Sequence, residues 1–325
     1  MAKDRIHIMT INACNNNCIF CCSRHPWIMS RQGTYAIDAV SLAAECGKQK
    51  GIDDISFTGG ESTLHKDLPL LVRQAKTMGY RNIALQTNGR MLKYKGFCIE
   101  LLESGINEIS ISLHGSRPKI HDALTRSPGA FEQAYAGLRN VIALKRSYPL
   151  KIHTNFTVTK LNYKDIHDYI SLLLSLRDID GIVLNTLMIA GNADLFFDQL
   201  SVSYAAVARE FCAAIDKLCD HERRAPLPVN IVPMPLCLMQ GYEQYVGVQE
   251  IPIEVNNNEA RPIQRAGRPE KNIKCFGCRY EKRCAGIDSL YAQRVGWSEI
   301  APPSTGACEK PRKRSRLTVQ KGPTV

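Results

Sequence analysis

The chain has 325 residues, 44% of them apolar, with 42 Lys+Arg against 31 Asp+Glu and 13 cysteines. This composition excludes disordered, collagen-like and coiled-coil classes. No apolar run reaches the ~18 residues of a membrane-spanning helix. The first residues, MAKDRIHIMTINACNNNC, also lack the apolar centre of a signal peptide. The expected compartment is therefore the cytoplasm, where clustered thiols bind metal or perform chemistry more often than they form disulfides.

Six short β-like runs are expected in chain order: Arg5–Ile11, Asp54–Thr58, Asn82–Thr87, Glu108–Leu113, Ile152–Val158 and Gly181–Leu187. Helical spacing recurs between and after them, as in Phe131, Tyr135, Leu138 and Ile142, in Ile166, Ile170 and Leu173, and in Tyr204, Val207, Phe211, Ile215 and Leu218. Parallel strands need a helical crossover, so this alternation predicts an α/β fold, a partial (β/α)6 TIM-like barrel. Residues just past each strand then gather at one rim. Those residues are Cys14–Cys21, Gly59-Gly60-Glu61, Asn88-Gly89 and His114-Gly115, which are too polar and glycine-rich for plain connectors.

Near residue 222 the texture changes. Prolines 226, 228, 233 and 235 crowd together, and residues 259–325 hold 15 basic and 6 acidic residues, +9 of the net +11. The expected organisation is a barrel over 1–222, a small, loop-rich, cysteine-bearing module over 223–310 whose core would be weak without a metal, and a basic tail over 311–325. That tail reads as a solvated chain end. A contact with nucleic acid or an acidic partner is its alternative, but no nucleic-acid-binding motif accompanies the charge.

Cys14, Cys18 and Cys21 fall within eight residues, with Phe20 before the last. Thiolates suit iron–sulfur clusters and zinc. A structural zinc site wants four ligands, whereas three cysteines on one loop can hold three corners of a cubane and leave one iron open. The C-x3-C-x2-C loop, Gly59-Gly60-Glu61 after the second strand and Thr87-Asn88-Gly89 after the third together resemble the radical S-adenosylmethionine (radical SAM) superfamily over residues 5–200. The resemblance implies that Cys14, Cys18 and Cys21 hold a [4Fe–4S] cluster whose fourth iron S-adenosyl-L-methionine chelates. It places Gly59, Gly60, Glu61, Asn88, Ser112 and Asn155 around that cosubstrate. A helix-capping role is the structural alternative for Glu61, and His114 faces either substrate or its own loop. Cys22 matches nothing in the motif.

A second group, Cys275, Cys278 and Cys284, has C-x2-C-x5-C spacing. It resembles the auxiliary-cluster domains called SPASM and, in shorter form, Twitch. The sequence lacks the further SPASM cysteines soon after Cys284, which favours a single second [4Fe–4S] cluster. Cys237 is the expected fourth ligand and Cys308 its competitor. A zinc knuckle is the alternative for this pair of turns.

The implied function is reductive cleavage of S-adenosylmethionine to a 5′-deoxyadenosyl radical that abstracts a substrate hydrogen. Oxidation or other modification of a small metabolite or peptide would follow, with no catalytic residue assigned. An external one-electron reductant such as flavodoxin or ferredoxin is the expected partner. The chain starts directly at the first strand, which favours a small molecule, or a peptide delivered by another protein. The rivals are a peptide-modifying maturase with a partner protein, and a non-catalytic metal-binding protein whose basic tail contacts nucleic acid.

Overall fold

The structure, a computed structural model, describes residues 5–24, 37–220, 227–247, 253–256, 259–262 and 268–303. Seven strands run parallel: β1 (Arg5–Ile11), β2 (Asp54–Gly59), β3 (Asn82–Thr87), β4 (Glu108–Ser112), β5 (Lys151–Thr157), β6 (Gly181–Asn185) and β7 (Val229–Val232). They lie in the sheet in chain order, β1 to β7. Beyond β1 follow β8 (Ile253–Asn256), parallel to it through Ile8 and Ile253, and β9 (Glu259–Pro262), antiparallel to β8. The sheet is therefore open, with β7 and β9 at its two edges. The intervening helices are α1 (Ile37–Gln49), α2 (Leu68–Thr77), α3 (Lys95–Ser104), α4 (Pro118–Thr125), α5 (Ala130–Leu144), α6 (Ile166–Leu176), the single turns α7 (Asn192–Leu195) and α8 (Phe197–Leu200), and α9 (Tyr204–Asp220).

The six expected strands are present, with ends shifted by at most two residues. β7 is an addition to them. Its four residues pair with β6 from Ile182–Val229 to Asn185–Val232, so the sheet continues past residue 222.

Alternation within the strands separates two faces. In β4, Ile109 and Ile111 are fully buried in one core with Leu138 and Val141 of α5 and Leu101 of α3. Glu108, Ser110 and Ser112 take the other face. That face is strongly concave: Arg5 of β1 meets Glu108 of β4 in two bonds of 2.7 and 2.8 Å. Three strand spacings of ~4.8 Å separate those strands along a flat sheet, so only a curled sheet brings the two side chains together. His7, Asp54, Ser56, Ser110 and His153 are also buried here. The result is a partial barrel with a polar inside and an apolar outside.

After β7 the chain forms turns, then β10 (Pro269–Glu270) paired with β11 (Ile287–Asp288), and α10 (Ser289–Val295). Asp288 caps α10 by accepting from the amides of Leu290 (2.9 Å) and Tyr291 (3.2 Å). Tyr291 packs edge-on against Tyr204 of α9, with ring centroids 4.7 Å apart, and joins the main core. The expectation that Gly286–Pro302 forms a hairpin or short helix corresponds to β11 and α10. Cys308 and the basic tail 311–325 lie outside the described residues. No helix among the described residues is long and apolar enough to cross a membrane.

Candidate active site

Past β1, residues 12–21 arch over the carboxyl end of the sheet, and backbone bonds to three different elements pin them there. The amides of Asn17 and Ile19 donate to Thr125 and Leu124 carbonyls at the end of α4, both at 2.9 Å. The amides of Gly60 and Glu61 donate to Ile11 (2.6 Å) and Ala13 (2.9 Å). Asn192, at the start of α7, donates its backbone amide to the Cys21 carbonyl (3.0 Å) and its side-chain amide to the Cys18 carbonyl (2.8 Å). Arg90 adds bonds to the Asn15 carbonyl and to Asn16 Oδ1 (2.8 Å). Cys14, Cys18 and Cys21 are thus carried on a braced loop, each partly exposed.

The glycine pair has a specific steric cause. A Cβ on Gly60 would lie 2.3 Å from the Ala13 carbonyl oxygen, and one on Gly59, which sits at φ +132°, would lie 2.5 Å from that of Ile11. The loop itself fills this space, so the pair docks the cysteine loop against β2. Glu61 is buried, and its carboxylate is well occupied. Oε1 accepts from Thr87 Oγ1 (2.6 Å) and from the Thr63 amide (3.1 Å) and hydroxyl, while Oε2 accepts from the Asn88 amide (2.6 Å). Glu61 therefore caps the 3-10 turn Ser62–Leu64 and ties β2 to β3. Burial pushes its carboxyl above the ordinary value, and these donors oppose that shift. Asn88 faces the loop, with Nδ2 2.7 Å from Asn15 Oδ1 and 3.8 Å from Cys14 Sγ.

Ser112 and Asn155 are register partners on β4 and β5. Asn155 Oδ1 accepts from Asn185 Nδ2 of β6 at 2.6 Å, which extends this row of polar groups to a third strand. His114 is buried and accepts the Thr157 amide at Nδ1 (3.0 Å). Phe20 of the cysteine loop packs edge-on against its ring at 4.6 Å. Burial and the neighbouring His121 hold His114 well below its usual pKa, so it is neutral. The proton then sits on Nε2.

Burial raises all three front thiols. Cys18 is pushed well above the ordinary thiol value, with the charges of Cys21 and Cys14 adding to burial. Cys21 is pushed up to about 12 by burial, with Cys22 and Cys14 adding, and Cys14 is raised by burial and Glu61. The sulfurs therefore sense one another. A backbone N–H, that of Asn16, also approaches Cys14 Sγ at 3.4 Å. Among the described residues no three His, Cys, Asp or Glu side chains close on one metal ion. Sulfurs around one ion at ~2.3 Å must lie within about 4 Å of one another, a tighter set than three corners of a cubane require. The donor type, the shared loop and the partial exposure fit an iron–sulfur cluster.

The back cysteines converge as well. Cys237, Cys275, Cys278 and Cys284 line one cavity with Pro235, Trp297 and Ile300, about 340 Å³ of space partly open to solvent. Burial first, and then the charges of Cys284, Cys278 and Cys275, push the Cys237 thiol up to about 12. Amides of Leu236 and Gly286 both approach Cys284 Sγ at 3.4 Å, and that of Tyr280 approaches Cys278 Sγ at 3.4 Å. Such N–H···S contacts suit anionic sulfur and help set cluster potentials.

Sequence reasoning missed Asn192, Arg90 and Asn185. Gly191-Asn192 follows β6 as a polar, glycine-containing rim segment, the same signal that marked the ends of earlier strands. A Cβ on Gly191, at φ +56°, would lie 2.7 Å from the Cys21 carbonyl oxygen.

Residues 8–173 match the Radical SAM superfamily. The chain belongs to that superfamily. Its radical SAM region resembles the probable GTP 3′,8-cyclase of Sulfolobus acidocaldarius, 29% identical over 222 residues, which are 67% of this chain and 67% of that protein. A relative of the same description from Saccharolobus islandicus is spanned over only about half its length, 52%. Among solved structures, methylornithine synthase (PylB) superposes with a TM-score of 0.54 at 13% identity, covering 82% of this chain and 77% of that one. Streptococcus suis SuiB gives 0.56 at 15% identity, covering 76% and 49%. At these identities the structural likenesses speak for the fold, a radical SAM partial barrel.

Proposed function

We propose that this radical SAM protein is an enzyme that reductively cleaves S-adenosylmethionine and abstracts a hydrogen atom from a small polar substrate. The observation that carries this reading is the front loop, whose three thiols fall within eight residues and are braced over the carboxyl end of a polar-lined partial barrel. A [4Fe–4S] cluster held by Cys14, Cys18 and Cys21, with S-adenosylmethionine, supplies there one electron and a 5′-deoxyadenosyl radical. Gly59, Gly60, Glu61 and Asn88 fix the loop's position. Ser112 and Asn155 offer hydrogen bonds to polar groups of the cosubstrate, and Phe20 against His114 shields the loop from water.

The back cavity supports a second [4Fe–4S] cluster, with Cys237 beside Cys275, Cys278 and Cys284. Four thiols leave no open position for substrate, which favours electron exchange and therefore net oxidation of the substrate. The relatives named GTP 3′,8-cyclases favour a second reading, a purine nucleotide as substrate and cyclisation as the outcome.

Anaerobically reconstituted protein given dithionite and S-adenosylmethionine is expected to release 5′-deoxyadenosine, and Cys18→Ala protein is not. A wild type with a full iron complement and no release overturns the proposal. Turnover with GTP and mass spectrometry of the product separates oxidation from cyclisation.

A further inference from the structure

The turn carrying two of the back cysteines has an unusual outer surface. Residues 268–283 contain six basic and two acidic residues. Backbone bonds of 2.9–3.2 Å wind this stretch tightly: Cys275 to Asn272, Cys278 to Cys275, Glu281 to Cys278. The winding leaves Ile273 78% and Phe276 71% exposed, among the most exposed large apolar side chains described. Lys274, Lys282 and Arg283 on the same stretch are exposed too. Phe276 lies between Cys275 and Cys278 in sequence, so exposed apolar and cationic side chains share the turn that carries two of the cavity's thiols.

An exposed Phe and Ile gain nothing from water, and like charges packed into one turn repel. A small exposed apolar pair on a stretch with a net positive charge suits a weak, fast encounter. Opposite charge steers the partner, and a small apolar contact releases it readily. We propose that this surface docks an acidic one-electron carrier protein of the flavodoxin or ferredoxin kind. The proposal rests on the reading of the back cavity as a redox site. Charge complementarity and the place of Phe276 in the turn between Cys275 and Cys278 favour that occupant over an acidic peptide, which has no need of those thiols.

The test is binding, measured anaerobically on reconstituted protein with an oxidised bacterial flavodoxin, and separately with a plant-type ferredoxin, by calorimetry. Affinity for at least one carrier is expected to fall about tenfold or more when salt rises from about 50 to 300 mM. The charge variant Lys274→Glu/Lys282→Glu/Arg283→Glu is expected to lose about tenfold or more, and Phe276→Ser to weaken binding without changing its salt dependence. Iron content and 5′-deoxyadenosine release driven by dithionite, which needs no docking, are expected to match wild type in both variants. Unchanged carrier affinity in the charge variant, no binding of either carrier, or tighter binding of a single-stranded RNA at the same residues overturns the proposal. The underlying reading is checked separately in Cys14→Ala/Cys18→Ala/Cys21→Ala protein, which should retain about four irons if the back cavity holds a cubane. Absence of that iron defeats both, whereas iron present with unaltered carrier affinity defeats the docking surface alone.

Discussion

Glu61 shows how much of a motif can be architecture. Its carboxylate accepts four hydrogen bonds, from the Thr63 amide and hydroxyl, the Thr87 hydroxyl and the Asn88 amide. A buried carboxylate that is so well satisfied holds two strand ends at a fixed separation, and the backbone amide of the same residue grips Ala13 in the cysteine loop. Glu61→Gln keeps the shape but replaces one acceptor oxygen by an NH2 that must face a donor. A buried donor left against another donor costs about 1–3 kcal/mol. Thermal denaturation of the metal-free variant should show a loss of that size, and cluster loading should fall because the loop has lost its anchor. A variant that melts like wild type would leave Glu61 free for a purely ligand-directed role.

At the scale of elements, the inward faces of β1 and β4 are joined by Arg5 and Glu108, each side chain only 5% exposed. Burial alone would raise the Glu108 carboxyl, but the hydrogen bonds and charge of Arg5 outweigh it and hold the group below its ordinary value. A folded pKa below the unfolded one means that the pair stabilises the fold above the ordinary carboxylate range. That contribution is lost as pH falls through the lowered value. Arg5→Met leaves Glu108 buried without its partner, at a cost of about 3–5 kcal/mol near neutral pH. The carboxyl is then raised, so the slope reverses and this variant should recover stability as the pH drops toward 5. Melting temperatures across that range check the sign, and parallel curves for the two proteins would refute it. The strands bearing these residues were legible because runs such as Glu-Ile-Ser-Ile-Ser mark a parallel-sheet strand as soon as a helix-like stripe follows. The same alternation announces a polar inner wall, which a search for apolar runs passes over. β7 was not legible, since four residues among prolines carry too little pattern, and only pairing with β6 makes them a strand. The cysteine spacings pointed to both thiol groups. The steric reason for Gly60 and the grip of Asn192 depend on contacts between segments far apart in sequence.

Over the whole molecule, the two thiol groups are linked through one continuous set of contacts. Trp297 and Ile300 line the back cavity. On the helix just before them, Tyr291 packs on Tyr204 and Phe197, and Arg294 pairs with Asp194 at 2.5 Å. Asp194 belongs to α7, whose first residue, Asn192, holds the carbonyls of Cys18 and Cys21. The Arg294–Asp194 pair is about 39% exposed on each side and contributes little by itself. The two bonds made by Asn192 lie at the end where position matters. Replacing the side-chain amide in Asn192→Leu removes one bond and leaves the Cys18 carbonyl without its donor, a loss of about 1 kcal/mol. That is too little to unfold a domain of this size, but it acts at the loop that carries the front thiols. The expected outcome is a protein with near-normal melting and normal iron at the back site. Its front-cluster EPR signal, in the presence of S-adenosylmethionine, should be shifted or broadened relative to wild type. Asn192→Asp keeps an acceptor in place of the donor and should shift the signal at least as far, whereas Asn192→Gln, which retains the amide, should partly restore it. Identical spectra for all three variants would mean that α7 packs against the cysteine loop without positioning it.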